Sequence, residues 1–190
     1  FRDSELAGPV TLEPVDADQL GYLDALPSAL AYHLLRARGI PHPRVFIPGA
    51  GTGEMVRQAS QFDAARIEVA EHDPALRQLL TRDLAAFTGN PFEGVIIHPM
   101  AARAFTAGNH GGFDLVQVST GNGGNAGLKS LGPSRALTRE AFAEYLDLLS
   151  PHGMLAVTHP LQAPPRTLPR LMLTAVESLE ALGLPPARHL

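Results

Sequence analysis

The sequence predicts an α/β fold: a doubly wound, mostly parallel sheet with helices on both faces. Three observations carry it. Short apolar runs alternate with stretches of helical period from Arg44 onward. The joins between them are short and rich in Gly and Pro. A glycine cluster, Gly49-Ala50-Gly51-Thr52-Gly53, directly follows the first apolar run, where such sheets turn from strand to helix beside a ligand crevice.

The elements follow in order. Residues 1–25 are mixed in character, contain Pro9 and Pro14, and are expected to form an N-terminal arm or short β element ahead of one domain over 26–190. A helix is expected over Leu26–Arg38, capped by Ser28, with Leu30, Leu34 and Leu35 as its apolar stripe and Pro41 and Pro43 as its stop. Strands are expected at 44–47, 66–70, 94–97, 114–118 and 154–158. Helices are expected over 52–61, over 74–87 with Pro74 in the first turn, and over 138–150 from a Thr138 start with Glu140 in the first turn. A closing helix over 168–182 presents Leu171, Ala175, Leu179 and Leu182 to the core and ends at Gly183. Asp114 sits at the start of its strand, away from any ligand, and reads as structural.

Composition narrows the function. The chain has 190 residues and is 45% hydrophobic, enough for one sizeable core. It contains no Cys, which excludes disulfides, thiolate metal sites and a cysteine nucleophile. The 15 basic and 19 acidic residues form no basic stripe, so nucleic acid is not the expected partner. No apolar run is long enough to span a bilayer and no signal peptide is evident. A soluble, cytoplasmic protein is expected. The chain begins at Phe1 without an initiator Met and reads as a piece of a longer protein, with a flanking domain outside it; a homodimer is compatible with the pattern.

The chemistry-bearing pattern is the glycine cluster plus an acid. The spacing is Gly-x-Gly-x-Gly, and no Lys-Ser/Thr pair follows, so the loop is not a phosphate-binding P-loop. Alone, the cluster would read equally as a flexible turn. Glu71, however, follows the second strand and lies 18 residues after Gly53, close to the roughly 20-residue interval at which an acid accepts the ribose hydroxyls of a nucleotide. The competing reading of Glu71 is a solvated surface carboxylate.

The segments 44–53 and 69–74 resemble motifs I and II of the class I S-adenosylmethionine-dependent methyltransferase fold, a Rossmann-like fold. Phe113–Val118, Leu137–Phe142 and Leu149–Val157 resemble, more narrowly, its spermidine synthase-like (polyamine aminopropyltransferase) branch. The resemblance runs from about Leu26 to the end of the chain. It implies a seven-stranded sheet, whose last two strands would follow Leu190, so the fold reads as C-terminally truncated. It also implies S-adenosylmethionine or decarboxylated S-adenosylmethionine as cofactor and a small-molecule acceptor such as an amine. By position, Gly49, Ala50, Gly51, Thr52 and Gly53 would meet the cofactor's tail and sugar, Glu71 and His72 its ribose side, and Met100 and Ala101 its adenine, with Ser119 also among the cofactor-binding residues. Two departures stand out. Alanine at 101 cannot hydrogen-bond an adenine amino group as the family's acid does. Asn122, the nearest match to the family's proton-accepting aspartate, cannot act as a base. The aromatic and acidic polyamine pocket is not evident, and Tyr22, Tyr32 and His33 have no secure place in one.

Three histidines, His72, His98 and His159, sit just past strand ends, where each could be a general base, a metal ligand or a plain loop residue. His159 ranks first because Pro160 restricts the chain after it. No metal-ligand spacing occurs. The Gly- and Asn-rich stretch 119–133 reads either as a lid over the acceptor or as a surface loop. Four functions fit: an aminopropyltransferase-like enzyme, a small-molecule methyltransferase, a catalytically degenerate domain with a binding, regulatory or assembly role, and, opposed by the glycine spacing, a nicotinamide dehydrogenase.

Overall fold

The computed structural model describes residues 21–120, 137–160, 164–165 and 167–190. The N-terminal arm up to residue 20 and the larger part of the Gly- and Asn-rich stretch, with Asn122, lie outside the described residues.

Five strands form one sheet: β1 (Arg44–Ile47), β2 (Arg66–Ala70), β3 (Ile96–His98), β4 (Phe113–Ser119) and β5 (Leu149–Thr158). Their order is β3-β2-β1-β4-β5 and every pairing is parallel. The chain steps from β1 outward to β2 and β3, then returns to the other side of β1 with β4. The switch point, where a doubly wound sheet opens its ligand crevice, therefore lies between β1 and β4.

Strand alternation sends the core to both faces. Val45 and Ile47 of β1 pack with Val56, Ala59 and Phe62 on one side, beneath α1 (Gly21–Ala25), α2 (Leu30–Ala37) and α3 (Glu54–Gln61). Phe46, between them in sequence, packs on the other side with Phe105, Phe113 and Tyr145, under α6 (Ala102–Thr106) and α7 (Arg139–Asp147). A rigid aromatic stack, Phe46 on Phe105 at 4.5 Å between centroids, joins the sheet to α6. The last helix, α8 (Thr167–Ala181), packs mainly on α7, and the hydroxyl of its buried Ser178 bonds the Thr174 and Arg139 carbonyls.

Several expectations need correction. Ser28 does not cap: it lies in a 3-10 turn, Pro27–Ala29, ahead of α2, and no side chain caps either element. The buried face of α2 is Ala31, Tyr32 and Leu35, while Leu30 and Leu34 face outward. The buried stripe lies one step round the helix from the expected one because Tyr32 packs its apolar ring on Phe62, stacked at 4.7 Å. Leu182 of the expected closing stripe is exposed. The helix expected over 74–87 is interrupted: α4 (Pro74–Gln78) passes through a π turn, Leu79–Asp83, into α5 (Ala85–Thr88). The helix α6 was not expected from the sequence. Thr138 does cap α7, its hydroxyl accepting from the Ala141 amide at 3.2 Å. Glu140 in that first turn has its pKa lowered by a hydrogen bond from its own backbone amide and then by the Thr138 side chain.

At the base of the sheet Asp114 is structural, as expected. Its carboxylate accepts from the Arg44 amide at 2.9 Å and from the Ser150 hydroxyl at 2.8 Å, tying the starts of β1, β4 and β5 together. Beside it, β5 begins with a bulge: Leu149 pairs with Phe113, and pairing resumes only at Met154 with Leu115. Gly153 closes this bulge against backbone. A methyl group there would sit 2.7 Å from the Phe113 carbonyl oxygen and 3.1 Å from the Ser150 nitrogen. Gly153→Ala is expected to cost about 2–3 kcal/mol, since overpacking against atoms that cannot turn away costs about 1–3 kcal/mol. A urea midpoint equal to wild type would refute this account of the bulge.

Tyr145 gives a prediction of opposite sign. It is buried, and its hydroxyl has no hydrogen-bond partner among the described residues. Burial is the main cause that pushes its pKa up to about 12. Tyr145→Phe should leave stability unchanged or raise it by up to about 1 kcal/mol, because it removes an unsatisfied buried group. A folded pKa above the unfolded value of about 10 means that the tyrosine's contribution is intact below pH ~10 and is lost as pH climbs toward 12. Thermal unfolding of both proteins across that window checks the sign.

Candidate functional site

The C-terminal strand ends carry two clusters, one on either side of the switch point. The first hangs from β1, β2 and β3. The glycine turn leaves β1 with Gly49, Gly51 and Gly53 all in the left-handed region, at φ +130°, +56° and +87°. Side chains at Gly49 and Gly51 would meet no atom within 4 Å, so the outer surface of the turn is open. At Gly53, which starts α3, a methyl group would come within 3.1 Å of the Phe92 ring. The first two glycines thus leave space for a ligand against the backbone, while the third also makes room for Phe92.

Glu71 is the centre of this cluster. It is 3% exposed. One carboxylate oxygen accepts from the Ala50 amide of the glycine turn at 3.2 Å, and the other accepts from the Asp73 amide at 2.9 Å. Its backbone is held as firmly: the Glu71 amide donates to the His98 carbonyl at 3.0 Å, and the Arg77 guanidinium donates to the Glu71 carbonyl at 2.7 Å. Asp73 caps α4 through the Ala75 and Leu76 amides. The solvated reading of Glu71 is therefore excluded: the acid is buried and joined to the glycine turn. His72 is exposed, with Nδ1 3.4 Å from the Glu71 carboxylate. Met100 and Ala101 are exposed at the end of β3, and Ala101 sits at the start of α6 with no side chain to cap it.

His98 is held by partners of the sheet and α6. Its Nε2 lies 2.6 Å from Glu68, a 5% exposed carboxylate in mid-strand that also takes Arg66 Nε at 2.7 Å. The ring packs on Phe105 at 4.5 Å. Arg66 and His98 thus both pair with a buried carboxylate.

The second cluster hangs from β4 and β5. Ser119 is exposed at the end of β4. Thr120 follows, its amide donating to the Thr158 carbonyl at 3.0 Å and its hydroxyl lying 2.5 Å from His159 Nδ1. Sequence reasoning singled out His159 but missed Thr120; the available signal was its position directly after a strand, matching that of His159. Asn122 lies outside the described residues. Among those residues no group of His, Asp and Glu is arranged to hold a metal, and no helix is long and apolar enough to cross a membrane.

A further polar chain is buried between β4, α2 and α3. The Tyr32 hydroxyl donates to Gln117 Oε1 at 2.6 Å, Gln117 Nε2 to Gln58 Oε1 at 2.7 Å, and Gln58 Nε2 to the Leu23 carbonyl at 2.7 Å. Tyr32 is thus a core residue and not part of a substrate pocket. Burial raises its pKa far above the ordinary tyrosine value, so it stays a donor. His33 is on the surface, paired with Asp24 at 2.6 Å.

No protein-family model matches the chain, and no curated protein matches its sequence. Among solved structures it is similar to the yhhF protein of Escherichia coli, described there as a methyltransferase, at 20% identity over 78% of this chain and 71% of that one, with a TM-score of 0.50. It is similar to the spermidine synthase of Thermotoga maritima at 16% identity over 84% of this chain and 50% of that one, TM-score 0.55. A spermidine synthase bound to the transition-state analogue AdoDATO matches at 15% identity over 84% and 49%, TM-score 0.54. The chain spans about half the length of these two synthases. The likeness establishes the class I methyltransferase type of Rossmann-like fold, with methyltransferases and spermidine synthases both among the similar structures.

Proposed function

We propose that this chain is the cofactor-binding domain of a transferase that uses S-adenosylmethionine or decarboxylated S-adenosylmethionine to alkylate a small nucleophile. The observation that carries the reading is the joined glycine turn and Glu71: a backbone cradle open at Gly49 and Gly51, and an acid bonded to its Ala50 amide. These residues fit an adenosyl group. The turn would receive the cofactor's tail and sugar, Glu71 would exchange its amide bonds for the ribose hydroxyls, and Met100 and Ala101 would border the adenine, with His72 at the rim. When bound, such a cofactor supplies a carbon already made electrophilic by a sulfonium. The chain's own task is then alignment of the acceptor and removal of a proton.

Sequence features of the turn favour an adenosyl sulfonium over a dinucleotide. The turn from Gly49 to Gly53 has no Lys or Arg, and Glu54 and Glu71 flank it. The Gly-x-Gly-x-Gly spacing also differs from the Gly-x-Gly-x-x-Gly of dinucleotide sites. The resemblance to the synthases favours an amine acceptor and aminopropyl transfer; methyl transfer is the alternative chemistry on the same cradle.

The test is calorimetric titration of the chain with S-adenosylmethionine, its decarboxylated analogue and NAD. Binding of one adenosyl sulfonium and not NAD is expected, and the tighter of the two chooses between methyl and aminopropyl transfer. A second reading has its own support: both Glu71 oxygens are already engaged and buried, and Ala101 offers no acid to an adenine. If none of the three compounds binds, the domain is a degenerate relative with a regulatory or assembly role.

A further inference from the structure

We propose that Arg77 is the positioning residue of the Glu71 carboxylate, and that affinity for the adenosyl cofactor depends on it although its own contact is with backbone. The proposal deepens the transferase reading above and rests on it.

The contact is not the ordinary one for its place. Arg77 stands in the last turn of α4, where a basic side chain usually bonds the carbonyls that end its own helix. Its guanidinium instead reaches back six residues, ahead of the helix, and donates from Nη1 to the Glu71 carbonyl at 2.7 Å. Fixing so long a side chain costs rotamer entropy, and the bond that offsets this cost is charge-assisted. Backbone accounting gives the reason. The last residue of β2 in register with β3 is Ala70. The Glu71 amide still donates across to the His98 carbonyl at 3.0 Å, but the Glu71 carbonyl lies past the end of the strand, in a residue that is 3% exposed. A buried carbonyl needs a donor, and Arg77 supplies it where the sheet no longer does.

The hold on the carbonyl passes to the carboxylate. With its amide on His98 and its carbonyl on Arg77, Glu71 has both flanking peptide planes set, so its side chain leaves the backbone in one direction. The chain then leads through His72 to Asp73, whose amide donates to one Glu71 carboxylate oxygen at 2.9 Å. Asp73 is fixed from the same helix: its side chain accepts from the Ala75 and Leu76 amides, and its carbonyl takes the Arg77 amide at 3.1 Å. Arg77 therefore closes a ring of contacts over residues 71–77. The other carboxylate oxygen leaves that ring and accepts from the Ala50 amide of the glycine turn at 3.2 Å. An acid aimed in advance binds a ribose more tightly than one that its ligand must order. Arg77 acts through Glu71 alone.

The experiment has a ligand-free arm and a binding arm, both on the whole chain. Amide hydrogen exchange by NMR is read at Ala50, which bonds Glu71, and at Phe46, in the buried centre of β1. Arg77→Met should lower Ala50 protection about tenfold, and by more than it lowers that of Phe46. A loss of global stability alone would lower Phe46 at least as much. Arg77→Lys keeps a cationic donor and should stay near wild type at Ala50. In calorimetry with S-adenosylmethionine, Arg77→Met should bind about tenfold more weakly than wild type. With Glu71→Ala in both proteins the difference should shrink below about twofold, because coupling within one network vanishes with the member that carries it. Arg77→Gln, whose donor lies closer to the backbone than a guanidinium, repeats both arms if Arg77→Met does not fold. Ala50 protection that falls no further than that of Phe46, or an equal loss of affinity with and without Glu71, overturns the proposal. Failure of wild type to bind S-adenosylmethionine removes the transferase reading and the affinity claim with it; Ala50 protection, read without ligand, tells that failure from failure of Arg77 to hold Glu71.

Discussion

Gln117→Leu is expected to lower the unfolding free energy by about 4 kcal/mol. Leucine fills nearly the same space, so little of the loss comes from packing. The loss comes from what the glutamine leaves behind. Gln117 is fully buried and stands between Tyr32 and Gln58. Its removal strands the Tyr32 hydroxyl and the Gln58 carbonyl oxygen together, and each unpaired buried group costs about 1–3 kcal/mol. Against a typical total of about 5–15 kcal/mol, that is a large share. The midpoint of urea unfolding should fall with little change in slope. Adding Tyr32→Phe to Gln117→Leu should recover part of the loss, because one stranded group is then gone. A single-variant loss below about 1 kcal/mol would mean that the chain of amides is not held as the distances indicate.

Glu71→Ala should weaken S-adenosylmethionine binding about 100-fold, equivalent to about 2.7 kcal/mol. Charge-assisted hydrogen bonds contribute about 1.5–3 kcal/mol each, and a carboxylate facing two ribose hydroxyls makes two. Part of that is offset, because the same oxygens already accept from the Ala50 and Asp73 amides. Glu71→Gln should lose about tenfold, since its amide oxygen still accepts while its charge is gone. Calorimetry on the three proteins gives the order directly. If alanine binds as tightly as glutamate, Glu71 only holds the glycine turn, and the ribose is recognised elsewhere.

Much of the sheet was legible. Strands 44–47 and 66–70 agree with expectation to the residue because Val, Ile and Phe between charged or Pro-bounded ends leave no other period. The ends of β3 and β5 were not. The bulge at the start of β5 depends on Asp114 and Gly153, which act across strands and leave no local signal. The helix face of α2 was misread for the same reason: Tyr32 counts as amphipathic in sequence, yet Gln117, 85 residues away, supplies the partner that lets it be buried. In the crevice, the glycine turn and Glu71 were legible because spacing along the chain carries them. The Thr120–His159 pair was not, because a contact between the ends of two parallel strands is set by sheet register.

The position of β5 at the edge of the sheet has a consequence for motion. Backbone amides of β1 and β4 lie in the buried centre, whereas β5 is partly exposed along its whole length. Native-state deuterium uptake should therefore be slowest in β1 and β4 and fast along the outward edge of β5, through openings that leave the centre intact. The glycine turn and Glu71 hang from the slow part and His159 from the fast part. Fraying of the tip of β5 can expose the imidazole while the opposite half of the crevice keeps its shape.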